Sequence, residues 1–485
     1  PSTRQEALEL NLSATTYGTF AEIGGGQEVA RWFFSVGGAA GTVAKTISAY
    51  DMVVSDSLYG PTQRYVSRQR LEAMLRQEFG QLLALLGRGR GDAKRFFSFA
   101  DTVSVRGYRN SSKARGWIGV RFQARPHDEP SEIVLHAHFF DTTKAYQQEA
   151  LGVLGVNLIY AAFFCREDQV ALIGSLMDDL SRERVEVDMI KFSGPAFAEV
   201  DNRLMTVQLV AQGLTDAAMF TAGGEVVQPS EVLHKKPILV ERGSFRPATK
   251  LTLDLLNRAR EQFLQEPGVR GQSPVVLAEM TLRSLIPLPL SREGERGRGE
   301  GDVGHADFLA RADILRALGF DVLISRFEAF HELAEYLAGY TDQPIGIAVG
   351  LPTFRQVPDE KFYTGLPGGA LESAGRLFQR SVTVYVHPTR DPVSGQIETI
   401  EDAPIPAPWH HLHALLLELG RVVPIRDFDE SYLSIRTADV LARLQSGDPS
   451  WEEMVPANVV AKIKAKNLFG WQSATELSPA SVTNA

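Results

Sequence analysis

The sequence predicts an α/β protein of two domains, the second built on a Rossmann-like, mainly parallel sheet. Three observations carry that expectation. Short apolar runs bounded by turn residues alternate with amphipathic stretches along most of the chain, which is the pattern of βαβ units. The length, 485 residues, suits two or three domains with sizeable cores. Finally, the apolar run Pro237–Val240 breaks at Gly243 and enters a helical pattern marked by Leu251, Leu255, Leu256, Ala259 and Phe263. A strand, a glycine turn and a helix form the phosphate-cradling corner of a doubly wound sheet. Its helix N-terminus presents free N–H groups and a positive dipole end to an anion.

Composition is that of a soluble globular protein, 44% apolar and 22% charged. A net charge of −9 argues against nucleic acid or an anionic membrane as the main partner. The single cysteine, Cys165 in an AAFFC run, excludes an intramolecular disulfide and suits a reducing cytosol. There is no basic-then-apolar leader and no apolar run approaching the roughly 18–20 residues of a membrane span. A cytoplasmic protein is expected.

The first domain is expected to cover residues 1–234. Its opening stretch is rich in glycine, with a helix from Gln27 to Phe34 after the Gly24–Gly26 turn. The string AAGTVAKT (Ala39–Thr46) is related in pattern to a phosphate loop, but alanine holds both glycine positions. Backbone N–H groups cannot wrap a phosphate without those glycines, so a packed glycine–alanine helix contact is the favoured reading. An amphipathic helix follows at Leu71–Leu86. Strands are expected at Phe96–Phe99, Gly116–Phe122, Ile133–Phe140, Val156–Phe164, Val187–Phe192 and Ala217–Phe220, although Gln147–Phe164 also reads as a helix running into a strand. His136 and His138 share one face of such a strand, a spacing that can chelate zinc. With no third ligand evident nearby, half-buried histidines are the preferred reading, and no metal is assigned. The exposed-looking aromatics Tyr17, Phe20, Trp32, Phe33 and Phe34 suggest a homo-oligomer.

The second domain is expected at 235–485. Strands are read at Val275–Leu282, Asp321–Ser325, Ile345–Val349, Ser381–His387 and Val422–Ile425, with a helix at Phe308–Leu318. The Arg/Glu/Gly-rich stretch 288–304 cannot bury apolar surface and is expected to be a flexible loop.

Within this half, the string GSFRPATKLT beginning at Gly243 resembles the opening motif of nicotinate and nicotinamide mononucleotide adenylyltransferases, GSFDPxHxGH. Gly243, Ser244, Phe245 and Pro247 match. Arg246 stands where the family has Asp, Thr249 replaces the first His, Leu251 the Gly and Thr252 the second His. Downstream, residues 435–470 resemble the family's ISSTxIR block and the helix–Val-Pro–helix that follows it. Ile435, Thr437, Val440, Gly447, Val455 and Pro456 fall in register, with Arg436 and Thr437 at the two Ser positions and Leu441 in place of Arg.

The resemblance implies a nucleotidyltransferase-type domain that joins a mononucleotide to ATP, with Mg²⁺, and expels pyrophosphate. It implies a nucleotide site at Gly243, Ser244, Phe245, Arg246, Arg436 and Thr437, with Thr249, Lys250 and Thr252 at the catalytic positions. Two cationic groups of the family are missing, while Arg246, Lys250 and Arg436 stand as replacements. Three readings stay open. The chain is a cytosolic nucleotide-binding protein with weakened or lost turnover and an assembly or sensing role, or a working nucleotidyltransferase, or an oligomer-forming protein that keeps only the fold.

Overall fold

The computed structural model describes residues 1–105, 114–285, 298–379 and 381–471, and the chain divides into two units, Pro1–Ala218 and Met219–Ala485. Both are α/β, as the alternating pattern predicts.

The first unit opens with α1 (Thr3–Leu12), β1 (Thr16–Ile23), α2 (Glu28–Ser35) and β2 (Val43–Ile47). Next come α3 (Met52–Tyr59), α4 (Arg68–Arg90), β3 (Arg95–Ser104), β4 (Ala114–Phe122) and β5 (Ser131–Phe139). It closes with α5 (Lys144–Phe164), α6 (Gln169–Ser175), β6 (Val185–Ser193) and α7 (Asn202–Ala211). The strand order is β2-β1-β3-β4-β5-β6. Pairing is parallel across β2, β1 and β3 and antiparallel from β3 to β6. One face of this sheet meets α5, where Leu151, Leu154 and Leu158 join Phe20, Phe97, Phe99 and Leu135 in the core. Helix α4 covers the other face. A Cβ on Gly119 would fall 2.9 Å from the Leu75 side chain, so the helix rides on bare backbone there.

Three expectations for this unit need correction. Val156–Phe164 is the end of α5 and not a strand; a helix buried on every side shows no helical period. Ala39–Thr46 is a 3₁₀ turn leading into β2, so it forms neither a phosphate loop nor a helix contact. Lys45 there is ion-paired with Glu78. The N-terminal aromatics are mostly absorbed by the chain's own core, with Phe20 and Phe33 at 0% exposure and Phe34 alone at 55%.

Two acids sit beneath the Gly24–Gly26 turn. Glu22 on β1 accepts the N–H groups of Val29 and Ala30 at the start of α2, both at 3.0 Å. Asp101, its register partner on β3, accepts Ile23 N–H at 3.3 Å. Burial, opposed by those N–H groups, pushes the Glu22 carboxyl up to about 7. Burial and then the Glu22 charge push Asp101 well up too. The folded state therefore keeps protons that the unfolded chain gives up above its ordinary carboxylate value. Stability is present in full below that value and is lost as pH climbs to about 7, by on the order of 3 kcal/mol. Urea midpoints should fall between about pH 5 and about pH 7.5, and Glu22→Gln should shrink that fall. A midpoint that rises over this range would contradict the assignment.

The second unit begins in β7 (Ala217–Phe220) and β8 (Val226–Val227), followed by α8 (Pro229–Leu233), β9 (Ile238–Arg242), α9 (Lys250–Phe263) and β10 (Val275–Thr281). Then come α10 (Arg298–Leu318), β11 (Asp321–Ser325), α11 (Phe330–Ala338), β12 (Ile345–Gly350), α12 (Leu351–Phe354), α13 (Gly369–Leu377) and β13 (Val382–His387). The remainder is β14 (Thr389–Arg390), β15 (Ile397–Glu398), α14 (His410–Glu418), β16 (Val422–Pro424), α15 (Thr437–Ser446) and α16 (Ala457–Lys466). Because β7 and β8 join this sheet, the unit starts upstream of the expected boundary at 235. Of the expected loop 288–304, residues 288–297 lie outside the described residues and 298–304 belong to α10.

The strand order is β16-β13-β12-β9-β10-β11-β7-β8, parallel from β16 through β11 in the registers described. The chain proceeds from β9 through β10 to β11, then places β12 on the opposite side of β9. That reversal makes the carboxyl ends of β9 and β12 the topological switch point, where open α/β sheets bind ligands.

Candidate functional site

Residues 243–249 leave β9 at this switch point. Gly243 extends the ladder by donating its N–H to Glu279 O at 3.0 Å. It has to be glycine because the Phe245 ring folds back over it, 2.9 Å from where a Cβ would stand. Phe245 is buried and left-handed, with φ of 50°. The loop is clamped from α10, where Arg311 donates to Ser244 O at 3.2 Å and to Ser284 O at 2.8 Å. Among the described residues, nothing accepts the N–H groups of Ser244, Phe245 or Arg246. Ser244 is exposed.

Thr249 is the N-cap of α9. Its hydroxyl accepts Thr252 N–H at 3.2 Å, while Thr252 Oγ1 accepts Thr249 N–H at 3.2 Å. Both threonines at the family's histidine positions are thus spent on capping their own helix. The N–H groups of Lys250 and Leu251, in the first turn, have no intrahelical acceptor.

Two of the three replacement cations are committed as well. Arg246 Nε donates to Asp307 at 2.6 Å, and Arg311 shares that carboxylate. Arg436 turns to Leu433 O at 3.1 Å and Arg390 O at 2.9 Å. Lys250 lies over the Tyr432 ring at 6.0 Å. Thr437 is the first residue of α15, where it follows an N-cap, Arg436, that makes no side-chain cap bond. The structure thus brings Tyr432 and Asp429 to α9 while Arg436 is turned to β14.

Several residues here escaped the sequence reading. Asp254 on α9 accepts Asp429 N–H at 3.0 Å and faces His387 Nε2 at 3.2 Å. His387 also faces Pro388 O through Nδ1 at 3.0 Å. Burial holds its pKa below the ordinary histidine value against the pull of Asp254. Arg242 donates to both oxygens of Glu279, at 2.8 and 3.0 Å. Glu241 is buried, its Oε2 has no partner, and burial pushes its carboxyl well up. None of these pairs has a local signature, because their members lie on different strands and helices.

The resemblance implies ATP with Mg²⁺, but the side chains present do not fit that chemistry. Asp307 is neutralised by two arginines, and Glu241 is held toward its protonated form. The groups that would meet a triphosphate are occupied within the protein. What remains for an anion is backbone and the Lys250 ammonium. Elsewhere, one described group of three side chains could hold a metal: His136, His138 and Asp188 in the first unit. The third ligand that the sequence reading lacked comes from a neighbouring strand.

No family model matches the chain, and no curated protein matches it. Solved structures match about a third of it. The competence/damage inducible protein CihA from Agrobacterium tumefaciens is 18% identical, with TM-score 0.25, over 33% of this chain and 94% of that one. A competence or damage-inducible protein from Enterobacter asburiae is 12% identical, with TM-score 0.24, over 33% and 98%. ComA from Klebsiella pneumoniae is 14% identical, with TM-score 0.23, over 33% and 94%. Likeness at this level says nothing of activity.

Proposed function

We propose that the second unit is a nucleotide-binding domain derived from a mononucleotide adenylyltransferase, which holds its ligand without ordinary turnover. One observation carries the reading. At the switch point the N–H groups of Ser244, Phe245 and Arg246 have no acceptor among the described residues, and those of Lys250 and Leu251 have none within α9. Unpaired N–H groups at a helix start favour a phosphate. Arg246 and Arg436, by contrast, already serve the fold. The ligand class is a phosphorylated nucleotide such as ATP or NAD, and the role is sensing or assembly.

Calorimetric titration with ATP and with NAD tests this. Ser244→Pro deletes one N–H without changing charge, and should weaken binding about tenfold or more, the worth of one hydrogen bond to a charged group. Arg246→Ala should change affinity by no more than about threefold, because its guanidinium is taken by Asp307. The opposite ranking, or no binding by the wild-type chain, would reject the proposal.

A further inference from the structure

His136 and His138 stand two residues apart on one face of β5, away from the α5 core. The neighbouring strand β6 carries a bulge opposite them. His136 pairs with Met189 and Ala137 with Val187, so Asp188 is the extra residue. Bulges of this kind re-aim a side chain and are common beside functional sites. Here the bulge points Asp188 at both imidazoles. Its Oδ1 lies 2.7 Å from His136 Nδ1, and its Oδ2 lies 3.0 Å from His138 Nε2. All three ligand atoms lie within 4.8 Å of one another.

The surroundings hold this arrangement. Trp117 on β4 packs against the His136 ring at 5.0 Å, and the two imidazoles meet edge to face at 4.9 Å. Asp188 is 2% exposed and His136 3%, while His138 reaches partly to solvent. A carboxylate buried this deeply needs a cation. One imidazolium can supply that charge, and so can a metal ion. A single divalent ion answers all three groups together.

We propose that His136, His138 and Asp188 bind one divalent transition-metal ion of the zinc class. Two imidazoles and one carboxylate are ligands such ions accept. Zinc–ligand distances near 2.1 Å put ligand atoms about 3.4 Å apart in a tetrahedral site, so seating the ion opens the two present contacts by about half an ångström. Three protein ligands leave a position for water or substrate, the count of a catalytic site and not of a closed structural one.

The test uses the full chain stripped with a chelator and titrated with Co²⁺, then competed with Zn²⁺. Visible ligand-field bands should grow to saturation at one equivalent and vanish as zinc displaces cobalt. His138→Gln and Asp188→Asn should each weaken binding at least about tenfold, while His411→Gln, at an exposed histidine, should leave it unchanged. Far-UV circular dichroism reports whether each variant is folded. The wild-type titration stands alone if a variant unfolds: no bands above those of the aqueous ion would overturn the proposal, leaving a hydrogen-bonded histidine–aspartate cluster only. Equal binding by a folded His138→Gln or Asp188→Asn chain would overturn it too.

Discussion

Given saturating ATP, Mg²⁺ and either nicotinate or nicotinamide mononucleotide, the chain should release pyrophosphate roughly three to six orders of magnitude more slowly than an ordinary enzyme of that kind. Adenylyl transfer depends on positioning and on positive groups that meet charge growing on the triphosphate. Two such groups of the resembled family are replaced here by Thr252 and Leu441. Losing them without substitutes costs on the order of 4–8 kcal/mol of transition-state stabilisation. The substitutes are engaged elsewhere: Arg246 with Asp307, Arg436 with two backbone carbonyls, and Thr249 and Thr252 with each other. A continuous pyrophosphate assay decides the matter. Turnover near one per second would mean that Arg246 and Arg436 leave these partners when substrate binds, or that Lys250 serves alone.

Arg242→Ala should lower the stability of the second unit by about 3–5 kcal/mol, the cost of stranding a buried charge. Glu279 is 0% exposed. Its carboxylate is held by two Arg242 donors and by Ser325 Oγ at 2.6 Å. The same guanidinium donates to Glu328 O at 3.0 Å and lies over the Phe330 ring at 4.6 Å. It therefore ties the end of β9 to β10 and to the start of α11, directly beneath the Gly243 loop. The double variant Arg242→Leu/Glu279→Leu should recover most of the loss, since a buried ion pair is often replaceable by apolar groups. Denaturant midpoints of the three variants measure both effects. A single variant within about 0.5 kcal/mol of wild type would show that the pair contributes little.

How much of this was legible in the sequence follows from how local each signal is. The strands of the second sheet were readable because each is a short apolar run closed by turn residues, as at Ile345–Gly350 and Val382–His387. The start of α10 was not, because Arg298–Gly304 is a glycine-rich, charged segment with no apolar face. Helix α5 was misread at its end because Val156, Leu158, Ile159 and Ala161–Phe163 are all buried, which erases the helical period. Gly152 and Gly155 in that helix instead mark its close approach to α2, where a Cβ on Gly155 would fall 2.3 Å from Val29. The sites needed pairings between distant positions. Asp188 lies some fifty residues from His138, and Asp101 is set beside Glu22 only by the parallel pairing of β1 with β3. The motif at Gly243 was visible as a string. That Arg246 is paired with Asp307 and Arg436 with backbone carbonyls depends on the packing of α10 and β14, which no spacing rule reveals.

On the proposed function a nucleotide phosphate rests on the backbone of the Gly243–Thr249 loop while Arg246 and Arg436 keep their internal partners. A crystal structure of the chain with ATP or NAD soaked in tests it most directly. Phosphate density is expected within hydrogen-bond reach of the Ser244–Arg246 N–H groups, above the carboxyl ends of β9 and β12, with the Arg246–Asp307 pair intact. Nucleotide density elsewhere, or phosphate held by a released Arg246 or Arg436, would contradict it.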